Sequence, residues 1–161
     1  MKSKPLYIFD LDGTLALIDH RRYLISNKKN PRWDEFYYAC VDDKPNEPVI
    51  KIFKSLAGEE FRQDNEFFIF SGRSDLVKQE TIKWLDKYLQ YSEIDCNSSV
   101  SIKMRKHGDC TPDEILKRQW YEELSQNDKE RLVCVFDDRQ KVVDMWRSIG
   151  VTCLQVAAGD F

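Results

Sequence analysis

Two aspartates stand two residues apart at the end of a short apolar run near the start of the chain, in Leu6-Tyr7-Ile8-Phe9-Asp10-Leu11-Asp12-Gly13. An apolar run without polar alternation is typical of a parallel strand buried on both faces, so both acids follow its carboxyl end. Ligands of open α/β sheets bind at that edge, and Gly13 permits a tight turn whose N–H groups face an anion. Two acids placed there can divide the roles of nucleophile and acid/base. The alternative interpretation is an acidic surface turn after an edge strand.

A second apolar run, Phe67-Phe68-Ile69-Phe70, stops at Ser71-Gly72-Arg73. A hydroxyl and a free backbone N–H at a strand end bind phosphate oxygens, and a nearby arginine can grip the same group through two hydrogen bonds. The motif therefore predicts a phosphate-binding loop. Taken alone, Ser-Gly-Arg is also an ordinary turn before a helix.

Two more charged motifs lie in the second half of the chain. Asp113 and Lys117 lie four residues apart and share one face of a predicted helix. They are either part of the active site or a surface ion pair that contributes little to stability. The apolar run at residues 132–136 ends in Asp137-Asp138. Consecutive aspartates in that position are electrostatically costly unless a cation lies between them and Asp10. Because Mg²⁺ prefers such all-oxygen ligand sets, we expect it as the cofactor.

The elements that position these residues alternate between strands and helices. We predict strands over residues 6–9, 67–70, 100–104, 132–136 and 151–156. Helical periodicity lies between them, with Asn46 and Thr111 as the predicted N-caps of two helices. The alternation predicts an α/β fold with three layers, in which helices cover both faces of a mainly parallel five-stranded sheet.

Residues 16–44 intervene between the first strand and its covering helix, directly over the predicted catalytic edge. We interpret them as a small cap insertion. Arg21 and Arg22 are placed to reach a phosphate from there. Trp33, Phe36 and Tyr37 are at helical spacing, so these aromatic side chains either pack the cap onto the body or offer a stacking surface to a base or sugar.

The composition is that of a folded globular protein, since 42% of the 161 residues are hydrophobic and 33% are charged. The length predicts a single domain over residues 1–161. A net charge of −3 argues against a strongly basic nucleic-acid groove, although recognition of a nucleic-acid end needs only a few cations. Five cysteines without a Cys-x-x-Cys pair, and an N-terminus without a signal peptide or membrane span, predict a cytoplasmic protein with reduced thiols.

The motifs, in their order along the chain, resemble those of the haloacid dehalogenase (HAD) superfamily, whose phosphatases carry Asp-x-Asp-Gly-Thr-Leu after the first strand. Residues 10–15 match that string letter for letter. The resemblance implies a three-layer α/β/α HAD-like (Rossmannoid) fold with a small cap insertion after strand 1. It also implies that Asp10 attacks phosphorus to form an aspartyl-phosphate, and that Asp12 protonates the leaving oxygen and then activates water. The implied metal ligands are Asp10, Asp12, Asp137 and Asp138.

Within that superfamily the chain is similar to the 3′-phosphatase domains of phage-type polynucleotide kinase/phosphatases. The similarity is carried by Asp137-Asp138-Arg139, by residues 142–147 and by the ending at residues 153–161. It implies that the catalytic residues are Asp10, Asp12 and Lys117, and that the phosphate- and substrate-binding residues are Thr14, Arg21, Ser71, Gly72, Arg73, Asp113 and Lys117. No Gly-x-x-x-x-Gly-Lys-Ser/Thr loop occurs in the sequence, so we expect no kinase module in this chain.

The expected activity is Mg²⁺-dependent hydrolysis of a phosphate monoester on a nucleic-acid end, with the 3′ end favoured. One alternative is a phosphatase of free nucleoside monophosphates, since the same core supports that reaction. An alternative of another class is a module that binds phosphorylated ends without turnover, against which the intact acids argue.

Overall fold

The structure, a computed structural model, describes residues 4–58, 65–90 and 99–159. Cys96, together with Asp160 and Phe161 at the end of the 153–161 motif, lies outside the described residues. The strands within the described ranges are β1 (Leu6–Phe9), β2 (Ala16–Leu17), β3 (Lys44–Pro45), β4 (Glu66–Ser74), β5 (Val100–Arg105), β6 (Leu132–Arg139) and β7 (Cys153–Gly159).

The main sheet has the strand order β5-β4-β1-β6-β7, and every neighbouring pair is parallel. This confirms the predicted parallel five-stranded sheet. Because β1 is the middle strand, Asp10 lies at the centre of the carboxyl edge and not in a turn after an edge strand. The strand register shifts between Ser71 and Ser74 in β4, and again between Asp137 and Arg139 in β6. Such bulges re-aim side chains, and both of them fall within the predicted functional motifs.

Helices cover both faces of the sheet, which confirms the three-layer α/β/α fold. The described helices are α1 (Tyr23–Ser26), α2 (Trp33–Tyr38), α3 (Glu47–Ala57), α4 (Lys78–Leu89), α5 (Asp113–Glu122), α6 (Gln126–Arg131) and α7 (Gln140–Ser148). Of these, α1 and α2 lie in the segment between β2 and β3. On one face, Phe53 of α3 and Trp84 of α4 share an apolar cluster with Phe9. On the other face, Trp120 of α5 and Trp146 of α7 pack around Phe70. None of the described helices is long and apolar enough to cross a membrane.

Of the two predicted N-caps, Asn46 occupies the capping position of α3, whereas Thr111 does not occupy that of α5. Asn46 precedes α3, but its amide donates to the Thr14 carbonyl at 2.9 Å and makes no cap hydrogen bond. The capping position of α5 is Pro112, whereas the preceding Thr111 offers its carbonyl to Arg105 at 2.6 Å. Both residues therefore tie the start of a helix to a loop at the carboxyl edge of the sheet.

The cap is a loop closed at its base by a short antiparallel ladder, in which Ala16 of β2 pairs with Pro45 of β3. Between these strands lie α1, α2 and two short 3₁₀ helices, Asp19–Arg21 and Ala39–Asp42. A small apolar cluster around Ile18, Leu24 and Phe36 packs the cap internally. The cap therefore has a core of its own beside the two clusters of the sheet.

Neighbouring residues of α3 provide a test of the packing, because Phe53 is fully buried and Ile52 is 43% exposed. We expect Phe53→Ala to lower the free energy of unfolding by about 3–5 kcal/mol, since it leaves a cavity against the rings of Phe9 and Phe67. The matched control Ile52→Ala should stay within about 1 kcal/mol of the wild type. Urea unfolding followed by tryptophan fluorescence measures both values. Equal losses would contradict the assignment of Phe53 to the core.

Candidate active site

The acids predicted from separate stretches meet at the carboxyl edge of the main sheet. Asp10 directly follows β1, and Asp137 and Asp138 lie near the end of the neighbouring β6. The Asp10 N–H donates to the Phe136 carbonyl at 2.9 Å, which fixes the register between the two strands. All three side chains are buried, and one oxygen from each lies within 4.8 Å of the others.

Lys117 on α5 places a cation between two of these carboxylates. Its Nζ donates to Asp10 Oδ1 at 2.6 Å and to Asp137 Oδ2 at 2.7 Å, and the residue is only 2% exposed. Burial alone would lower the pKa of Lys117, but the two carboxylates raise that pKa above its ordinary value. The side chain is therefore an ammonium group at neutral pH, and the interpretation of Lys117 as part of a surface ion pair is wrong.

One ammonium group leaves this acidic cluster with excess negative charge. Burial and the neighbouring Asp137 and Asp138 together raise the pKa of Asp10 well above its ordinary value. Burial and Asp137 likewise raise the pKa of Asp138 to about 6. A buried pocket of carboxylate oxygens suits a hard divalent cation. Asp10, Asp137 and Asp138 are the residues that fit one here.

The turn after Asp12 packs directly on Asp138. Gly13 has a φ of +92°, and a Cβ at this position would lie 2.2 Å from Asp138 Oδ2. Both the left-handed backbone and the close contact require glycine. The fully buried Thr14 hydroxyl donates to Asp138 Oδ1 at 3.4 Å. In the structure Thr14 thus supports Asp138, and its phosphate contact stays a prediction.

Two positively charged arginines contact Asp12, whereas two of the three charged neighbours of Asp10 are carboxylates. Arg21 Nη2 donates to Asp12 Oδ1 at 2.9 Å, and Arg73 donates to the same oxygen through Nε at 3.1 Å and through Nη2. Burial alone would raise the pKa of Asp12, but the guanidinium groups of Arg73 and Arg21 lower this pKa to about 2. The Asp12 carboxylate, a predicted metal ligand, therefore lies with the arginines and outside the group formed by the other three acids.

Asp43, at the base of the cap, completes this arginine cluster, and the sequence analysis missed it. Its fully buried carboxylate accepts from Arg21 Nε and Nη2 at 2.7 Å each and from Arg73 Nη2 at 2.8 Å. The Trp84 indole donates to its backbone carbonyl at 2.8 Å. The exposed Asp42 stands beside it in the sequence. No local signal in the sequence distinguishes Asp43 from Asp42, and the strand that follows Asp43 and closes the cap was not predicted.

Arg21 is the arginine of the predicted pair that reaches the site. Its side chain is fully buried, whereas that of Arg22 is 39% exposed. The Arg22 Nη1 atom lies 3.6 Å from Asp19 Oδ1. In the structure both Arg21 and Arg73 donate to Asp12 and to Asp43, while their Nη1 groups donate to the Phe36 carbonyl and the Thr81 hydroxyl. Contact of these arginines with the substrate stays a prediction.

The predicted phosphate-binding loop is fixed from two sides. The Ser71 hydroxyl accepts from the Arg73 N–H at 3.2 Å, which shapes the bulge of β4. Arg105, at the end of β5, donates to the Gly72 carbonyl at 2.9 Å and also to Asp113. A Cβ at Gly72 would lie 2.6 Å from Asp113 Oδ1. Arg105 therefore ties the loop to the start of α5 at a point where only glycine fits.

Asp113 and Lys117 serve two different parts of the site. The Asp113 carboxylate accepts from Arg105 and from Arg139 Nη1 at 2.6 Å, whereas Lys117 donates to Asp10 and Asp137. One turn apart on α5, Asp113 holds the loops and Lys117 holds the acids. The two residues, predicted to share one helical face, thus bind different partners.

A cavity of about 410 Å³ lies between the cap and the carboxyl edge of the sheet. Its inner side is lined by Asp10, Asp12, Lys117, Asp137 and Asp138. Trp33 and Tyr37 of α2 line the cap side, and residues 105–113 line the opposite wall. This volume is typical of sites that enclose a small molecule or the end of a larger one.

The chain matches a known family over nearly its whole length. The family model described as the polynucleotide kinase PNKP phosphatase domain, of the HAD type, matches residues 4–161. A protein of Autographa californica nuclear polyhedrosis virus, named as a bifunctional polynucleotide kinase/RNA ligase, is 30% identical over 142 residues. The match covers 88% of this chain and 18% of that protein, so the chain spans about a fifth of the length of this relative.

Solved structures share the fold. A chain of the Pnkp1/Rnl/Hen1 RNA repair complex is similar with a TM-score of 0.72 at 30% identity, covering 98% of this chain and 44% of that one. A Clostridium difficile protein assigned as a phosphatase is similar with a TM-score of 0.61 over 96% of this chain and 86% of that one. At 14% identity, this second likeness bears on the fold alone.

The arginine cluster makes the stability of the protein depend on acidic pH through Asp12. Its pKa of about 2 in the folded chain is below the ordinary value of 3.8, so its ion pairs stabilise the fold fully above about pH 4 and are lost as the pH falls towards 2. We expect Asp12→Asn to lower the free energy of unfolding by about 2 kcal/mol near neutral pH, and this difference from the wild type to shrink below about pH 4.

Urea unfolding at a series of pH values measures this difference, with the exposed Asp42→Asn as the control. A difference between wild type and Asp12→Asn that stays constant down to about pH 2 would show that the arginines do not hold Asp12 ionised.

Proposed function

The chain belongs to the HAD-type phosphatase domains of polynucleotide kinases, and from this premise we propose its reaction. It hydrolyses phosphate monoesters at polynucleotide ends, preferably at the 3′ end, with Mg²⁺ as cofactor and an aspartyl-phosphate on Asp10 as intermediate. The observation that carries the proposal is the buried Asp10 carboxylate, which Lys117 holds at 2.6 Å at the inner end of the cavity.

The proposed reaction consists of two displacements at phosphorus. In the first, an oxygen of Asp10 attacks the phosphorus atom and the bond to the sugar oxygen breaks, while Asp12 gives that oxygen a proton. In the second, Asp12 takes a proton from a water molecule, which attacks the phosphorus atom and releases inorganic phosphate and the Asp10 carboxylate. Nucleophilic catalysis of this kind divides one difficult transfer into two easier ones.

The arginine cluster suits Asp12 to both roles in turn. Arg21 and Arg73 keep its carboxylate ionised, and this is the form that accepts a proton from water. A phosphate dianion beside Asp12 opposes that effect, because a like charge raises the pKa of a carboxyl group. The same dianion competes for the guanidinium donors, which then contact the substrate. Substrate entry therefore favours the protonated Asp12 that the first displacement needs.

Other residues meet the charge on the transferring phosphoryl group. We assign the contacts with its oxygens to Lys117, the Ser71 hydroxyl and the backbone of Gly72, and we assign Thr14 and Asp113 to holding the surrounding loops in place. Phosphoryl transfer depends largely on such positioning and electrostatic stabilisation. Each of these roles belongs to the proposal.

Mg²⁺ in this proposal is held by Asp10, Asp137 and Asp138, whose oxygens lie within 4.8 Å of one another. When bound, the ion offsets the repulsion between the phosphate dianion and the anionic nucleophile. The residues of the chain that prepare this pocket are Lys117, which pairs with two of the acids, and Gly13, which allows the turn to approach Asp138.

The preference for nucleic-acid ends is supported by the relatives, one named as a polynucleotide kinase/RNA ligase and one part of an RNA repair complex. We extend that substrate class to this chain. We also propose that residues 1–161 form one phosphatase domain with its cap over residues 16–44. The cytoplasmic location that we propose agrees with free thiols at Cys40, Cys110, Cys134 and Cys153.

Phosphate release from four substrates tests the proposed activity. The substrates are a 3′-phosphorylated oligonucleotide, its 5′-phosphorylated twin, and the free 3′- and 5′-mononucleotides, each assayed with Mg²⁺ and with EDTA. We expect Mg²⁺-dependent release, fastest from the 3′-phosphorylated oligonucleotide, and no activity above background for Asp10→Asn. Preference for a free mononucleotide would support a nucleotidase instead. Binding of phosphorylated ends without release would support the non-catalytic alternative.

Lys117 provides a second test of the site. Lys117→Ala removes the cation that holds Asp10, so we expect kcat to fall by about 100-fold or more. Lys103→Ala is the matched control, because Lys103 is 40% exposed in an ion pair with Glu123 on the surface. Phosphate release by the folded variants, checked by circular dichroism, measures the effect. An unchanged kcat for Lys117→Ala would remove the lysine from its proposed role.

A further inference from the structure

We propose that Trp33 and Tyr37 form a stacking platform for the terminal nucleobase of the phosphorylated strand. This inference rests on the proposed function and adds a base-binding subsite to the phosphate site. The two residues lie on α2 of the cap, four positions apart, and both line the cavity that contains Asp10.

The two rings lie nearly parallel to each other. Their centroids are 5.8 Å apart with an interplanar angle of 26°, so the rings stack on each other. Trp33 is 46% exposed, and Tyr37 is partly buried beside it. Burial raises the pKa of the Tyr37 hydroxyl to about 12, so this group stays neutral at physiological pH. An exposed aromatic face above a phosphate site is the feature on which nucleobases stack.

Phe36 fixes the platform to the catalytic residues. It is 4% exposed, and its ring packs edge-on against Trp33 at 5.8 Å and against Tyr37 at 5.7 Å. The Arg21 guanidinium lies 4.2 Å above the Phe36 ring and donates to the Phe36 carbonyl at 3.1 Å. Because Arg21 also binds Asp12, the platform has a defined position relative to the acid/base residue.

This arrangement separates the two interpretations of the cap aromatics. Phe36 packs the cap, as its burial and its place in the Ile18–Leu24 cluster show. Tyr37 packs against that cluster and also lines the cavity, whereas Trp33 lines the cavity and is 46% exposed. In this proposal, the nucleoside attached to a phosphate at Asp10 occupies the space between the platform and residues 105–113, which all line the same cavity. A planar base is the part of that nucleoside with a surface that matches the rings.

The test compares substrates with and without the terminal base. One is a 3′-phosphorylated oligonucleotide, and the other is the same strand with a stable abasic analogue as the phosphorylated nucleotide. For the wild type and for Trp33→Phe, which retains an aromatic ring, we expect a KM about 5- to 150-fold lower for the intact strand. Trp33→Ala should lose this difference by a rise in KM on the intact strand alone, with kcat nearly unchanged.

Tyr38→Ala is the matched control, because Tyr38 follows on the same helix, is 53% exposed, and is not among the described residues that line the cavity. We expect it to behave as the wild type. Equal KM values of the wild type for the intact and abasic strands would overturn the inference and leave the proposed function standing, whatever the stability of Trp33→Ala. Release from neither strand would overturn the proposed function and the inference with it.

Discussion

The site depends on one buried cation between two buried carboxylates. Lys117 is within 2.7 Å of both Asp10 and Asp137, and the neighbouring β1 and β6 carry these acids to the same point of the sheet edge. Removal of a partner from such a pair leaves an uncompensated charge in a region that water does not screen. The register of the two strands, the placement of α5 and the close approach of Gly13 to Asp138 are therefore parts of one electrostatic arrangement.

The second feature of the site is the contrast between two acids that are neighbours in the sequence. Asp10 belongs to an acidic cluster that raises its pKa, whereas Asp12 belongs to a cluster of arginines that lowers it. Only one residue separates them, so the environments differ because different elements approach from each side. Lys117 and the end of β6 reach Asp10, while Arg73 from β4 and Arg21 from the cap reach Asp12. One turn thus supplies two carboxylates with different protonation behaviour.

The fold was predictable because each of the three central strands, β1, β4 and β6, contains an uninterrupted apolar run that ends in polar residues, as at Phe9-Asp10 and Phe136-Asp137. The acids of the site were predictable for the same reason, since parallel strands bring their carboxyl ends to one edge. Asp43 was not predictable, because nothing in its local sequence distinguishes it from the exposed Asp42. Its role depends on Arg21 and Arg73, which lie 22 and 30 residues away in the chain. The partners of Asp113 escaped prediction too, since helical spacing gave no indication of Arg105 and Arg139.

The cap is closed at its base by two contacts, the β2–β3 ladder and the ion pair between Arg21 and Asp43. Both residues of that ion pair stand near the points where the chain enters and leaves the cap. The twenty or so residues between them form a loop whose ends are already fixed, and changes in the length of such a loop cost little free energy. Natural variation or protein engineering can therefore change the length of that stretch, while the residues that hold Asp12 remain in place.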